Sequence, residues 1–224
     1  MSSTSKKIMV IIGVGPGNGF HVAQRFGREG YHIVMMSRSE DSLQDFANKL
    51  ENDGISSSYY VVDCADPKNV KETFDRLIHD FNTIDVLHYN TASLKPGLPE
   101  NLTNSDLLEQ FQIDVASALI CIQKVLPSMK EKDQGAILFT NGGLYSKPHK
   151  EFTALGIGKA ALYNLAGSLI DDLKETDIFV GSIVITGLVK EGTEFAPEII
   201  AEQLWKLFDE KSGHEVVIWP GKDI

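Results

Sequence analysis

Four glycines alternate with other residues directly after the first apolar run of the chain. Gly13, Gly15, Gly17 and Gly19 lie in the segment GVGPGNG, which follows IMVII and precedes a helical pattern. Each glycine would destabilise a regular helix or strand by roughly 1 kcal/mol relative to alanine, so the local backbone must require them. A strand-to-helix turn that brings backbone N–H groups against a phosphate has this requirement. The segment therefore predicts a phosphate-binding loop, and the alternative is a tight turn without a ligand.

The spacing of these glycines distinguishes between two kinds of dinucleotide loop. The fingerprint GxGxxG fits no register, because Asn18 or Phe20 stands where its third glycine would be, whereas GxxxGxG fits Gly13, Gly17 and Gly19. We therefore expect the loop to contact a dinucleotide. The predicted contacts are Gly13, Gly15, Gly17, Asn18, Gly19 and Phe20.

The end of the second apolar run, Met36-Ser37-Arg38, indicates which dinucleotide is bound. NAD binders usually carry an acidic residue about 20 residues after the glycines, hydrogen-bonded to the ribose 2′-hydroxyl. Ser37 and Arg38 stand there instead, and a guanidinium binds phosphate oxygens bidentately and keeps its charge. The pair predicts NADP(H) in preference to NAD(H), the alternative being that Arg38 is a solvated surface residue.

Short apolar runs alternate with longer helical patterns along the whole chain, which predicts one domain over residues 1–224. Nearly continuous Val/Ile/Leu runs are typical of parallel strands that are buried on both faces. The predicted strands are Ile8–Ile12, His32–Met36, Ser58–Val62, Ile84–Tyr89, Ala136–Thr140, Phe179–Ile185 and Glu215–Trp219. The predicted helices are Gly19–Glu29, Ser39–Asp53, Pro67–Phe81, Asn104–Lys130, Phe152–Glu175 and Pro197–Asp209. This alternation predicts an α/β fold: a single-domain Rossmann-type, doubly wound parallel sheet of about seven strands with helices on both faces.

Composition limits the partners of the protein. The 31 acidic and 21 basic residues give a formal net charge of −10, which disfavours binding to nucleic acid or to an anionic membrane surface. No apolar run approaches the roughly 18 residues of a membrane span. Cys64 and Cys121 lie inside apolar stretches, as reduced thiols do in cytosolic proteins. We therefore expect a cytoplasmic protein with a small-molecule partner, without a disulfide framework and without a metal site.

Three later segments complete a recognisable pattern. VVDCAD ends the third predicted strand, VLHYNTAS ends the fourth, and TGLV follows the sixth. Together with GxxxGxG and Ser37-Arg38, they make the chain resemble the short-chain dehydrogenase/reductase family along nearly its whole length. The resemblance implies one Rossmann-type domain that transfers hydride between a nicotinamide cofactor and a carbonyl or an alcohol.

The resemblance also implies cofactor contacts in each of these segments. Asp63 falls where the family's aspartate meets the adenine, and Asn90 and Ala92 fall on the family's NNAG segment, in which Tyr89 and Thr91 are departures. The segment at 186–189 falls on the family's Pro-Gly motif over the nicotinamide, with threonine in place of the proline. The implied contacts are Asp63, Cys64, Asn90, Thr91, Ala92, Lys159, Thr186 and Leu188.

The catalytic set of the family is where this chain departs. In the family a tyrosine donates the proton, a lysine four residues later supplies positive charge and binds the ribose, a serine polarises the carbonyl, and an asparagine supports a proton relay. LGIGKAAL places Lys159 on the lysine but Leu155 on the tyrosine. Gly142 falls on the serine and Asp114 on the asparagine. Leucine and glycine have no exchangeable side-chain proton, so the departure changes the chemistry.

Another group must donate the proton if the chain is an enzyme. Tyr145 and His149 lie in the loop after the fifth predicted strand, and Tyr163 lies one turn beyond Lys159. Packing and surface roles remain open for all three, and Asp114 is also a candidate for an ion pair with Lys159. The predicted catalytic residues are Lys159 and Tyr145.

Two functions from different classes fit this sequence. The first is an NADP(H)-dependent oxidoreductase that acts on a small carbonyl or alcohol with a non-standard proton donor. The second is a catalytically silent NADP(H)-binding sensor or regulatory protein; a structural protein whose glycine loop is only a turn is a third. The predicted helices at 104–130 and 152–175 are rich in apolar and small residues. The family resemblance implies that they pair to form a homodimer or homotetramer, the alternative being that they only cover the sheet.

Overall fold

Seven parallel strands form one sheet in the computed structural model, which describes residues 6–221. The strands are β1 (Ile8–Ile12), β2 (His32–Ser37), β3 (Ser57–Val61), β4 (Val86–Tyr89), β5 (Gly135–Gly142), β6 (Ile178–Ile185) and β7 (Glu215–Ile218). Their order across the sheet is β3-β2-β1-β4-β5-β6-β7, and every pairing is parallel. This is the Rossmann strand order with one further strand, and the predicted fold class is confirmed.

Seven α-helices connect the strands in the described part of the chain. They are α1 (Asn18–Arg28), α2 (Glu40–Asn52), α3 (Pro67–Phe81), α4 (Asn104–Phe111), α5 (Ser117–Lys132), α6 (Thr153–Leu173) and α7 (Pro197–Glu210). Local sequence explains where several begin. The Asp66 carboxylate accepts hydrogen bonds from the first backbone N–H groups of α3, and Pro67 occupies its first turn. The Thr103 hydroxyl accepts from the N–H of Asp106 at the start of α4.

The sheet separates two hydrophobic layers. Met9 and Ile11 of β1 pack in the layer that contains α1, α2 and α7, whereas Val10 and Ile12 pack in the layer that contains α3, α5 and α6. Alternate residues of a strand point to opposite faces, and all four side chains are buried. The continuous apolar run of β1 is therefore explained by helices on both faces, which also fix the loops that follow the strands.

The predicted helix Asn104–Lys130 is wrong as a single regular helix. A π-helical turn, Gln112–Ala116, separates α4 from α5, and in it the Ser117 N–H donates to the carbonyl of Gln112. The buried Tyr89 hydroxyl donates to the Ile113 carbonyl within this turn. Periodicity did not reveal the turn, because a single widened turn leaves the apolar pattern on either side intact.

Membrane-spanning helices are absent from the described residues. Within residues 6–221, each helix is too short or too polar to cross a bilayer.

Candidate functional site

A cavity of about 1320 Å³ opens at the carboxyl ends of the strands, where the order reverses between β1 and β4. Loops after β1, β2 and β3 form one end, and loops after β4, β5, β6 and β7 form the other. Ligands of open α/β sheets bind at this switch point. The volume exceeds the roughly 300–1,000 Å³ of ordinary small-molecule pockets, so two ligands can share it.

Two of the four loop glycines are required by packing. Gly13 has a φ of +86°, and a Cβ added there would lie 2.8 Å from the backbone of Thr91. The Asn90 side-chain amide donates to the Gly13 carbonyl at 2.8 Å, which joins the loop to the end of β4. A Cβ at Gly19 would lie 2.9 Å from Val14 Cα. These two glycines let the loop turn tightly into α1.

The other two loop glycines face open space. A Cβ added at Gly15 would meet no protein atom within 4 Å, and one at Gly17 would meet only Val189 Cγ1, at 4.0 Å. Both residues line the cavity, where α1 begins at Asn18 without a side-chain cap. The Asn18 Oδ1 atom is buried there without a hydrogen-bond partner. Bare backbone at an uncapped helix N-terminus fits the pyrophosphate of a dinucleotide.

Ser37 and Arg38 lie beside the glycine loop and line the same end of the cavity. The Ser37 hydroxyl oxygen is buried without a hydrogen-bond partner. Arg38 is exposed, and no carboxylate of the described residues forms a salt bridge with it. A free hydroxyl and a free guanidinium at this position fit a 2′-phosphorylated ribose.

Asp63 and Cys64, which follow β3, line the cavity. The Asp63 carboxylate accepts from the N–H of Ala65 at 3.0 Å, and the Asp63 N–H donates to the Asn69 side chain at 2.8 Å. These bonds fix the loop and orient the carboxylate. The Cys64 thiol is buried near Thr91, and burial raises the pKa of that thiol, which keeps it protonated.

Ala92, Thr186 and Leu188 also line the cavity, together with Asn90 and Thr91. The Thr186 hydroxyl donates to the Ile218 carbonyl at 2.6 Å, which ties the loop after β6 to β7. Leu188 is 82% exposed at the mouth of the cavity. A large apolar side chain in that position is free to cover a ligand.

Two predicted site residues do not reach the cavity. The Phe20 ring stacks on the Phe46 ring in the core, with 4.9 Å between the ring centroids. The backbone N–H of Phe20 donates to the Gly15 carbonyl. The Tyr145 ring stacks on Tyr163 at 4.2 Å and lies outside the cavity wall. Each ring packs against an aromatic ring from a different part of the chain, and this packing keeps both side chains out of the cavity wall.

Lys159 is the buried cation at the floor of the cavity. Its side chain is held by α6 and is 5% exposed, and its ammonium donates to the Thr140 carbonyl at 3.0 Å. Burial lowers the pKa of Lys159 to about 8, while the nearby charge of Asp114 acts in the opposite direction. The ammonium therefore exchanges protons near neutral pH far more readily than a solvated lysine does.

Asp114 lies behind Lys159 in the π-helical turn and is fully buried. One carboxylate oxygen accepts from the Ser93 N–H at 2.7 Å, and the other has no hydrogen-bond partner. Burial raises the pKa of Asp114 to about 6. The candidate ion pair between Asp114 and Lys159 is not formed as a direct contact, and the Lys159 ammonium donates to the Thr140 carbonyl. A Cβ at Gly158 would lie 2.7 Å from Asp114 Oδ2, so this carboxylate requires the glycine.

Comparison with known families agrees with this arrangement. The profile of the short-chain dehydrogenases matches residues 7–203. The chain belongs to the short chain dehydrogenase family. Members of this family are mostly NAD(P)-dependent oxidoreductases.

Individual relatives are distant in sequence and similar in fold. Human dehydrogenase/reductase SDR family member 2 is 25% identical over 209 residues, which are 92% of this chain and 73% of the relative. The 2,3-dihydro-2,3-dihydroxybenzoate dehydrogenase of Bacillus subtilis is 24% identical over 212 residues, 95% of this chain and 77% of the relative.

Solved structures of the same fold cover nearly the whole chain. An alcohol dehydrogenase from Thermococcus sibiricus, complexed with 5-hydroxy-NADP, has a TM-score of 0.86 at 19% identity and covers 98% of this chain and 99% of its own. A metagenomic short-chain oxidoreductase in complex with NADP has a TM-score of 0.87 at 18% identity and covers 99% and 100%.

Three further residues that the sequence singled out also line the cavity. Leu155, one turn before Lys159 on α6, is buried and lines the cavity. Gly142 ends β5, and a Cβ added there would lie 3.8 Å from the Lys159 side chain. His149 lines the cavity from the loop after β5, and its Nδ1 accepts from the Glu151 N–H at 3.3 Å.

Sequence reasoning missed several cavity residues. They are Leu144, Lys147, Phe152, Trp219 and Pro220, which lie in loops or at element ends without motifs. The Lys147 ammonium sits 4.9 Å from the centroid of the Trp219 ring. No signal in the sequence joins these two residues, which are brought together by the adjacent loops after β5 and β7.

Proposed function

We propose that the chain is an NADP(H)-dependent oxidoreductase that transfers hydride between the cofactor and a small carbonyl compound or alcohol. The observation that carries the proposal is one continuous cavity with two different ends. The unpartnered Ser37 hydroxyl and Arg38 line one end, and the buried Lys159 lines the other. A cofactor that spans this length would present its reactive ring beside Lys159.

The preference for NADP(H) over NAD(H) rests on Arg38 and on the lack of an acidic side chain at the end of β2. An acidic residue there would repel a 2′-phosphate, whereas arginine attracts it. The two structural neighbours described above were solved with NADP or a hydroxylated NADP, which is consistent with this preference.

We propose Lys159 as the proton donor, in place of the family's tyrosine. Leu155 occupies the tyrosine position and has no exchangeable proton, and Gly142 occupies that of the serine. NADPH, when bound, supplies the hydride that adds to the carbonyl carbon. Lys159 supplies the proton that the carbonyl oxygen takes up, so that an alcohol is released. An acid with a pKa of about 8 is well matched to this step near neutral pH.

The charge of Asp114 would support Lys159 in this role. Its carboxylate is fully buried and has one oxygen without a partner, so its charge acts on Lys159 without competing water. The attraction holds the ammonium in its charged form against the effect of burial.

The test is an NADPH fluorescence titration followed by turnover with a panel of aldehydes, ketones and quinones. We expect binding and consumption of NADPH by the wild-type protein. We expect Lys159→Met to abolish consumption, whereas Lys150→Met, which changes an exposed lysine outside the cavity, retains it. Consumption that persists in Lys159→Met would overturn the proposed donor.

The second candidate function is a catalytically silent NADP(H) sensor. The observation that favours it is the combination of Leu155 and Gly142 beside Lys159, which removes two proton-bearing side chains of the family pattern. Tight NADPH binding without consumption across the panel, together with a change in oligomer or partner between NADPH and NADP⁺, would establish it.

We also propose that the protein is a cytoplasmic homodimer or homotetramer whose ligands are small molecules rather than nucleic acid or membranes. Leu108 of α4, Leu119 of α5 and Ile157 of α6 are 59%, 41% and 43% exposed, which leaves apolar side chains on the helices at 104–132 and 153–173. Sedimentation velocity at micromolar concentration tests the assembly, with Leu119→Glu expected to shift the distribution toward monomer.

A further inference from the structure

The substrate end of the cavity carries basic side chains although the chain has a formal net charge of −10. Four charged or titratable residues from the loop after β4, helix α4 and the loop after β5 line it. They are Lys95, Glu109, Lys147 and His149. Two of these four residues are lysines and one is a carboxylate, so positive charge faces the cavity here in spite of the acidic composition of the chain, which points to a ligand with negative charge.

Only some of this positive charge is available to a ligand. The Lys95 ammonium forms a salt bridge with Asp106 and also lies near Glu109, so it is already neutralised. Lys147 has no carboxylate partner among residues 6–221. Its ammonium instead lies over the Trp219 ring, an arrangement that holds a cation in place and leaves its donors free.

The wall next to this cation is apolar. Its side chains come from the loops after β5, β6 and β7 and from the start of α6, and they are Leu144, Phe152, Leu155, Leu188, Trp219 and Pro220. A substrate in this space meets hydrocarbon and aromatic surface in the same cavity that Lys147 and Lys159 line. The site therefore combines an apolar lining with Lys147, a cation that forms no salt bridge with any of residues 6–221 and is held against Trp219.

We propose that the substrate is a carbonyl compound with an apolar body and a carboxylate, and that Lys147 binds this carboxylate while the carbonyl oxygen faces Lys159. Lys147 is thus a specificity-determining residue. The inference rests on the proposed oxidoreductase function, and the experiment includes a binding measurement that does not depend on turnover.

The experiment compares 4-carboxybenzaldehyde with its neutral isostere 4-formylbenzamide, with NADPH as the reductant. We expect the wild-type protein to prefer the carboxylate in kcat/KM by about tenfold or more, since a charge-assisted hydrogen bond contributes roughly this factor. The preference should reside in KM and decrease with ionic strength. Lys147→Met should bring the ratio of the two kcat/KM values close to one, and Lys147→Glu should invert it. Lys150→Met is the matched control and should leave the ratio unchanged, because Lys150 does not line the cavity.

Calorimetric titration of both probes into the protein saturated with NADP⁺ separates the two proposals. Carboxylate-selective binding that is lost in Lys147→Met, without consumption of NADPH, supports the recognition site and overturns the oxidoreductase. Equal binding and equal kcat/KM of the two probes overturns the recognition site, whether or not NADPH is consumed. A ratio that is unchanged in Lys147→Met also overturns it.

Discussion

The two ends of the cavity differ in which atoms form their surface, the backbone at one end and side chains at the other. At the proposed cofactor end the surface is mainly backbone: Gly15 and Gly17 have no side chains to cover it, and α1 begins there without a side-chain cap. At the substrate end the side chains of Lys147, Leu155 and Lys159 define the surface. A backbone site depends on spacing and is recognisable in a distant relative. A side-chain site changes its chemistry with each substitution, so the proposed proton donor is harder to recognise from a family resemblance than the glycine loop.

Gly13→Ala should have the largest effect on NADPH binding and on stability together, because it changes the backbone of the glycine loop. The alanine Cβ would lie 2.8 Å from the Thr91 backbone at a φ of +86°. We expect NADPH affinity to fall by at least about 100-fold, with a destabilisation of several kcal/mol. Fluorescence titration and thermal melting measure the two effects.

Gly30→Ala is the control for Gly13→Ala. Gly30 has a similar φ of +90°, but a Cβ there would meet no atom within 4 Å. It should cost only about 1 kcal/mol of backbone strain and leave NADPH affinity unchanged. Equal loss of affinity in the two variants would show that the close contact with Thr91 is irrelevant.

Lys159→Met tests the substrate end and should reduce kcat/KM by about 1,000-fold or more, as loss of a general acid and of transition-state charge does. In the wild-type protein, kcat/KM for carbonyl reduction should decline as the pH rises above about 8, since the acid form of Lys159 is then lost. Stopped-flow measurement of NADPH oxidation between pH 6 and pH 10 tests this. A flat profile would exclude Lys159 as the acid.

Arg38→Gln should separate the two cofactors. We expect NADPH affinity to fall by roughly 10- to 100-fold while NADH affinity changes little, because a charge-assisted bond to the 2′-phosphate is removed. Arg28→Gln is the matched control, since Arg28 is exposed at the end of α1 and does not line the cavity. Equal weakening of both cofactors in Arg38→Gln would contradict the proposed 2′-phosphate contact.

Asp114→Asn should change how stability depends on pH. Burial raises the pKa of Asp114 from 3.8 to about 6, so the folded protein binds this proton more strongly than the unfolded chain. The free energy of unfolding contributed by this group therefore falls as pH rises from about 4 to about 6. In Asp114→Asn this decrease in the free energy of unfolding should be absent. Between pH 4 and pH 6, the Tm of the wild-type protein should therefore fall by a few degrees relative to that of the variant. Thermal melting in steps from pH 4 to pH 7 measures it, and parallel Tm curves for the two proteins would contradict it.

Tyr145→Phe should have the smallest effect. The Tyr145 ring lies against Tyr163 rather than in the cavity, and phenylalanine preserves the stacking. We expect kcat/KM to change by less than about twofold. A loss of more than about tenfold in kcat/KM would support Tyr145 as a proton donor and contradict the proposal that Lys159 has this role.

The fold and the position of the glycine loop in it were largely predictable from the sequence. Apolar runs such as Ile8–Ile12 and the spacing of Gly13, Gly17 and Gly19 are local signals with one physical cause each. The location of Ser37 and Arg38 in the cavity wall was equally predictable, because Ser37 ends β2 and Arg38 follows it.

The substrate end was less predictable because its geometry depends on packing between distant segments. No local sequence signal predicts that Tyr145 stacks on Tyr163, or that Lys147 contacts Trp219 from a separate loop. The π-helical turn was also invisible. Its effect is to bury Asp114 behind Lys159, which neither hydrophobic pattern nor charge spacing indicates.

Tyr89 has a consequence for how relatives of this chain can diverge. Tyr89 lies in β4 and is fully buried, and its hydroxyl donates a hydrogen bond to the Ile113 carbonyl in the π-helical turn. A relative with phenylalanine at this position would lack the donor, so that the turn would lose one of its anchors. We therefore expect position 89 and the length of the segment around 112–116 to vary together among relatives. Natural sequences with a short side chain at 89 should have a regular helix there.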